Sequence, residues 1–276
     1  MAEETTAQSE PKTQLAVLKS YLGKDDTKQR FLEILGERAN AYMASIVNVM
    51  ANSNQLKMCE AATVMNAALI AATLDLPIDP NLGFAAIVPY RDKAQFQMMY
   101  RGFVQLAIRS GQYASMNVSE VYADEIKEYN PITGEIMFND FSLTTMRQAG
   151  DEKAIVGYYA WFRLENGFMK PLYMTVQQIE NHGKKYSKSY QYDIKKGEKS
   201  SRWSIDKDAM YKKTVLKLLL SKWGIMSVQV QKAIVFDGAK VNDNNGELEP
   251  EYIDNEPVKH EAVNTITVGE PNDEPA

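Results

Sequence analysis

An α+β fold with an antiparallel sheet is the class this sequence predicts, and three observations predict it. Helical periodicity fills the first part of the chain and returns near its end. Between the two lies a run of short, mostly alternating segments divided by turn signals, with one short helical stretch inserted. Those segments follow one another through hairpin and turn signals instead of alternating with crossover helices, which excludes a doubly wound parallel sheet.

The elements follow in order. Residues 1–12 are polar and are expected to be disordered. A helix is expected after Asp26, with Gln29 as its capping-box partner, and Phe31, Ile34, Leu35, Tyr42, Ile46 and Val49 carry it to about Met50. A second helix covers about Leu56 to Leu74. Its alanine pairs, Ala61-Ala62, Ala67-Ala68 and Ala71-Ala72, admit a close neighbour, in the core or at a subunit interface. Pro77 and Pro80 end that region. Phe84 to Tyr90 reads as a strand, Arg91 to Lys93 as a turn and Gln95 to Met99 as a second strand. The helix Tyr100 to Arg109 follows, stopped by Gly111.

Residues 113–123 alternate as a strand, and Asn130 to Gly134 is a turn. Ala154 to Arg163 is apolar on both faces, as in a central strand. Glu165-Asn166-Gly167 is a hairpin signal, and its partner strand, Phe168 to Met174, contains Pro171 and belongs at an edge. Thr175 with Gln178 caps a helix ended by Gly183. Residues 184–202 lack periodicity and read as a flexible basic loop. Helices resume at about Asp206 to Trp223 and Val228 to Lys240. The expected organisation is a disordered N-terminus (1–12), one folded core (13–240) and an acidic disordered tail (241–276).

Charge is unevenly distributed. The 276 residues carry −5 in total, but residues 241–276 hold −9, residues 1–14 hold −2, and residues 15–240 hold +6. Within that basic body, Lys170 to Lys222 has thirteen Lys or Arg against five Asp or Glu. The same stretch contains Tyr173, Tyr186, Tyr190, Tyr192, Trp203 and Tyr211. Cations neutralise phosphates and aromatic rings stack on bases, so this composition points to single-stranded nucleic acid.

Two groups of residues carry that reading. In 184–202, cations alternate with rings at Lys184, Lys185, Tyr186, Lys188, Tyr190, Tyr192, Lys195 and Lys196. A solvated surface loop is the plainer alternative. On the helix from Asp206, Lys213 and Lys217 lie four apart, and like charges so placed cost a few tenths of a kcal/mol unless an anion lies nearby. Phosphate is the expected anion. Snorkelling into water is the alternative, and substituting either lysine is expected to leave the fold intact. Arg101, Gln105 and Arg109 share one face of the short helix, and Gly102 in its first turn leaves room for a backbone or a phosphate.

Other chemistries lack their residues. No apolar run approaches the length of a membrane helix, and the first residues carry neither a basic start nor an apolar run, so a cytoplasmic protein is expected. The lone Cys59 excludes an internal disulfide and a cysteine-based zinc site; it reads as a packed thiol on a helix. No phosphate-binding Gly-Lys loop and no Gly-x-Gly-x-x-Gly fingerprint occurs. Two histidines, His182 and His260, make no metal cluster, and no converging carboxylates can be assembled for a nuclease. No cofactor and no enzymatic activity are expected.

Two segments carry a family resemblance. Gly83-Phe-Ala-Ala-Ile-Val-Pro-Tyr90, continued by Gln95-Phe-Gln-Met-Met-Tyr-Arg-Gly-Phe-Val-Gln-Leu-Ala-Ile-Arg-Ser-Gly-Gln112, is one, and Ala209-Met-Tyr-Lys-Lys-Thr-Val-Leu-Lys217 is the other. They resemble the RecT/Redβ-type single-strand annealing proteins of phages, close to those of phages infecting Gram-positive bacteria. The likeness runs from about Leu32 to Trp223. It implies a RecT/Redβ-like annealing core and an ATP-independent recombinase that binds single-stranded DNA and holds the annealed duplex. It also implies a homo-oligomer, ring or helical filament, working with a partner exonuclease and the host's single-stranded-DNA-binding protein. On this resemblance Tyr100, Arg101, Gln105 and Arg109 become groove walls. So do Lys184 to Lys196 as named above, with Arg202, Trp203, Lys207, Tyr211, Lys212, Lys213 and Lys217. A passive single-strand binder and a metal-dependent nuclease are the alternatives.

Overall fold

The computed structural model describes residues 13–225 and 227–253. The expected disorder of residues 1–12 lies outside the described residues. Helix α1 (Gln14–Gly23) opens the fold, with the Thr13 hydroxyl accepting from the Ala16 amide. The long helix expected from Asp26 to Met50 is two helices, α2 (Asp25–Leu35) and α3 (Ala39–Ala51). Gly36, at φ 56°, breaks the run into a 3-10 turn, and α2 carries no side-chain cap at its start. Helix α4 (Ala61–Thr73) begins later than expected because Cys59 is extended. The thiol is packed all the same: it is buried and donates to the Lys93 carbonyl at 3.3 Å, and burial pushes it up to about 11. The α4 alanines Ala67, Ala68, Ala71 and Ala72 are buried within this chain, where they let α1, α2 and α3 pack close.

The hairpin of β1 (Ala85–Tyr90) and β2 (Lys93–Met98) lies on α4, where the Thr63 hydroxyl accepts from the Ala94 amide. Helix α5 (Tyr100–Arg109) follows with the expected bounds. Gly102 leaves room for a backbone: a Cβ there would lie 2.2 Å from the Phe84 carbonyl oxygen, so the close neighbour is this chain and not a phosphate.

The main sheet is antiparallel, in the order β3–β6–β7, with β3 spanning Tyr113–Tyr122, β6 Ile155–Leu164 and β7 Met169–Thr175. The doubly apolar strand β6 is central, and Pro171 sits on the edge strand β7, as the sequence predicts. Between β3 and β6 project the small hairpin β4 (Ile126–Asn130) and β5 (Glu135–Phe138) and the single turn α6 (Met146–Ala149). Arg147 fastens this excursion through Glu125 at 2.6 Å and Glu120 at 3.2 Å.

Residues 184–202 are not a loop. Helix α7 (Val176–Tyr186), capped by Thr175 and Gln178, runs past Gly183, and α8 (Lys188–Lys196) and α9 (Arg202–Ile205) follow. Gly183 is there for the Trp203 ring, which a Cβ would meet at 2.7 Å. The buried carboxylate of Asp193 accepts from the Ser200 and Ser201 amides and from the Ser200, Ser201 and Ser204 hydroxyls, which folds α9 back onto α8. This tertiary network replaces the apolar periodicity whose absence reads as a loop. Helix α10 (Lys207–Trp223), capped by Asp206, crosses the main sheet, and α11 (Val228–Phe236) packs on α5 and β2.

The expected tail boundary at 241 also moves. Strands β8 (Lys240–Asn244) and β9 (Glu247–Glu251) form a hairpin on α4 and β2. Val241 is fully buried, Asn66 donates to its carbonyl at 3.1 Å, and Arg30 pairs with Asp243 at 2.5 Å. Acidic composition hid the hairpin, in which Asp243 pairs with Arg30 and Glu251 with Lys240. Residues 254–276 of the expected tail lie outside the described residues. A chain ending at Ala239 should melt on the order of 5–10 °C below one ending at Ile253, since it exposes the Val241 site and strands Arg30 and Asn66. Paired melting curves of the two truncations decide the boundary; equal midpoints would return it to 241.

Candidate nucleic-acid interface

A groove of about 1370 Å³ runs between the helices and the β1–β2 hairpin. One wall is a single face of α10: Met210, Lys213, Thr214, Lys217, Leu218 and Ser221. Ser45, Asn48 and Val49 of α3, and Asn52 just past its end, also line the groove. The hairpin contributes Ala86, Val88, Gln95 and Gln97. Helices α7 to α9 contribute His182, Tyr186, Lys188, Tyr192, Arg202 and Trp203, and Arg91 lines the groove at the hairpin turn. The lining holds five Lys or Arg against two acids, Asp79 and Asp237.

The two lysines of α10 already have an anion. Asp237 accepts from the Lys213 Nζ at 2.7 Å, the Lys217 Nζ at 2.7 Å and the Met98 amide at 3.0 Å. The like-charge cost expected from their spacing is therefore relieved inside the protein. Burial pushes the Asp237 carboxyl up, but the two lysines beside it hold it below the ordinary carboxylate range, so the carboxylate stays ionised. Lys213 is buried, which corrects the expectation that its loss leaves the fold intact; Lys217 is only partly buried and keeps one side toward the groove.

The other predicted residues separate into three groups. Lys188 and Arg202 line the groove, and among the described residues neither side chain makes an ion pair or hydrogen bond. Lys185 and Tyr186 form a cation–π pair at 5.1 Å next to it, and Lys195 and Lys196 lie exposed in the last turn of α8. A second group serves the fold. Tyr190 stacks on Trp203 at 5.5 Å, Tyr211 meets Tyr158 edge-on at 5.4 Å, and all four rings are buried. Tyr211 also donates to Glu180 at 2.9 Å, and Glu180 faces Lys184 at 4.0 Å and Lys207 at 3.4 Å. Lys212 is held by Asp208 at 2.9 Å and Glu120 at 3.0 Å, on the side of α10 away from the groove. The third group, Tyr100, Arg101, Gln105 and Arg109 on α5, lies outside the groove lining. Arg109 donates to the Asp75 carbonyl at 2.9 Å and ties α5 to the end of α4.

Groove residues that sequence reasoning passed over are Tyr90, Arg91, Gln95, Gln97 and the polar face of α3. The rings lining the groove are Tyr90, Tyr186, the half-exposed Tyr192, Tyr252 and, from the buried cluster, the edge of Trp203 alone. Arg91, at φ 55° in the hairpin turn, reads in the sequence as a plain turn residue. His182 stands 4.6 Å from the Tyr186 ring, and burial, then the Lys217 and Lys185 charges, push its imidazole down to about 4. Among the described residues no group of three or more His, Cys, Asp or Glu is placed to hold a metal ion, and no helix is long and apolar enough to cross a membrane.

Two outcomes follow from this geometry. Removing the Lys213 amine leaves buried Asp237 with one cation, so Lys213→Ala should destabilise by about 3 kcal/mol, and Lys217→Ala by less, in urea titrations. Equal, small effects would mean the triad is not a structural tie. His182 is neutral in the folded protein down to about 4, whereas the unfolded imidazole titrates near 6.5. The unfolded chain therefore binds the extra proton between those values, and stability should fall as pH drops through that window. His182→Gln should flatten that part of the stability–pH curve; an unchanged slope would assign it to other groups.

A model of the RecT family matches residues 40–256. The uncharacterized protein YqaK of Bacillus subtilis (strain 168) is 42% identical over 245 residues, 88% of this chain and 80% of that protein. Protein RecT of Escherichia coli (strain K12) is 25% identical over 187 residues, 65% of this chain and 64% of that protein.

Proposed function

Since this chain belongs to the RecT family, we propose that it is an ATP-independent recombinase that binds single-stranded DNA in the groove and anneals complementary strands. The observation that carries the reading is the groove's lining. It combines the unengaged cations Lys188 and Arg202 with Arg91, which lies over the Tyr90 ring at 5.6 Å, and with the half-exposed ring of Tyr192 beside Tyr186. Unengaged cations take phosphates and exposed rings take bases, which suits a strand of any sequence. Lys217 adds a charge that Asp237 only shares, since one carboxylate faces two lysines. Family membership supports action as a homo-oligomer, ring or filament, with a partner exonuclease and the host's single-stranded-DNA-binding protein. The apolar side chains Ile132, Phe138 and Phe141, exposed around the β4–β5 hairpin, are compatible with such association.

Mixing complementary oligonucleotides with protein, in the absence of nucleotide and metal, tests the reading. Pairing faster than the spontaneous rate is expected. Unchanged or slowed pairing would leave a passive binder, and cleavage that starts when a divalent metal is then added would mean a nuclease. Affinity should fall steeply with salt. Lys188→Ala and Arg202→Ala should each flatten the dependence of log affinity on log salt by about one unit without lowering the melting temperature. Variants with unchanged slopes would move the strand away from this part of the groove.

A further inference from the structure

Strand β2 has two faces of opposite character. Ala94, Phe96 and Met98 point into the core and are fully buried. Gln95 and Gln97 point the other way, into the groove, beside Val88 and Ala86, their register partners on β1. Gln95 is 3% exposed, yet its Nε2 has no hydrogen-bond partner; the Oε1 of Gln97 has none either. An unsatisfied buried amide atom costs about 1–3 kcal/mol. Among the described residues five buried side-chain atoms are in that condition, and these two are neighbours on one face of one strand lining one groove. Two such costs in one place are what a binding surface shows when its partner supplies the missing bonds.

The position of these amides fixes which part of a strand they would meet. The groove's cations are carried by other elements or by the turn: Lys217 on α10, Arg91 at the hairpin turn, Lys188 on α8 and Arg202 on α9. The hairpin strands themselves bring no charge to the lining: they contribute apolar side chains, Tyr90 and two amides. A strand whose phosphates follow the cations turns its bases toward that surface. Annealing any sequence adds two conditions: the Watson–Crick edge must stay free, and the contact must not depend on the base. The minor-groove edge meets both, because purine N3 and pyrimidine O2 are acceptors at the same place in every base. The unmet Gln95 Nε2 offers a donor to them, and the unmet Gln97 Oε1 can accept the 2-amino group where the base is guanine.

We propose that Gln95 and Gln97 are base-edge ligands that hold the bound strand by its minor-groove edge and leave its pairing edge open. This rests on the reading of the groove as the strand's site. The test uses an adenine-rich oligonucleotide and the same oligonucleotide with 3-deazaadenine, which lacks the N3 acceptor, with 7-deazaadenine as control. Binding of the full-length protein, Gln95→Met and Gln97→Met is measured by anisotropy across a salt series. The wild type should bind the 3-deaza strand about three- to tenfold more weakly and the 7-deaza strand unchanged. At least one glutamine variant should weaken the natural strand by a similar factor, lose its sensitivity to the 3-deaza change and keep the wild-type salt slope. Its melting temperature should hold or rise, because an unsatisfied amide has been replaced by an apolar side chain of similar size.

Indifference of the wild type to 3-deazaadenine overturns the proposal. So does a variant whose loss of affinity comes with a slope lower by one, which would make the contact a phosphate, and so do two variants that bind like wild type. In each of these cases a salt-dependent wild-type interaction leaves the groove reading standing. If the wild type does not bind the natural strand at all, both readings fall together.

Discussion

One carboxylate sets the geometry on which the groove depends. Asp237 lies just past α11, accepts from two lysines of α10, and takes the Met98 amide at the end of β2. The chain that follows continues the tie, with Gly238 donating to the Phe96 carbonyl and Phe96 donating to the Ala239 carbonyl, both at 2.9 Å. One charged group thus joins the wall helix, the glutamine-bearing strand and the exit of the last helix. A buried carboxylate alone would be costly, and a buried lysine likewise; together they are tolerable only in a fixed arrangement. That need for registry gives the wall and the strand a defined spacing. It also leaves one lysine charge in excess, on the partly buried Lys217 at the groove.

Aromatic residues divide the labour in a way that composition cannot show. Tyr158, Tyr190, Trp203 and Tyr211 form a buried stack that seats α7 to α9 on α10 and the main sheet. Gly183 makes room for the indole, and the Asp193–serine network closes the α8–α9 turn. With the buried rings on the inner side, the lysines of the same short helices are carried outward. Of the three rings along 184–196, only Tyr190 belongs to that buried face. Tyr186 and Tyr192 reach the groove.

Much of the fold was legible in the sequence, and the reasons for the rest are specific. The bounds of α5, the central place of β6, the edge place of Pro171 and the Thr175–Gln178 cap all rest on local rules that tertiary context left intact. The break at Gly36 was missed because apolar spacing continues across it. The helices in 184–202 were missed because serines and tyrosines, not aliphatic residues, hold them. The hairpin at 240–251 was hidden by acidic residues whose partners, such as Arg30 and Lys240, cannot be paired with them by reading along the chain. The site was legible only in part. Of the residues that basic density marked, Lys188, Arg202 and Lys217 line the groove. That density also swept in Lys184, Lys207 and Lys212, which face Glu180, Glu120 and Asp208, because local density does not report a carboxylate distant in sequence.

The glutamines lay outside any such signal, and the reason bears on how a groove of this kind works. Charge can be counted in a sequence, whereas an unmet hydrogen bond exists only once a fold has buried the group. A surface made of cations alone would attract any polyanion and would have no preferred orientation for a strand. Adding rings gives the bases a place to stack but leaves the strand free to rotate about its own axis. Neutral amides on a rigid hairpin, tied to α10 through Asp237, supply the missing constraint, since hydrogen bonds are directional where Coulomb attraction is not. Orientation without base discrimination is what pairing with an arbitrary second strand requires. Under the proposed reading, the buried triad matters to function by holding these two amides at a fixed distance from the lysines that draw the strand in.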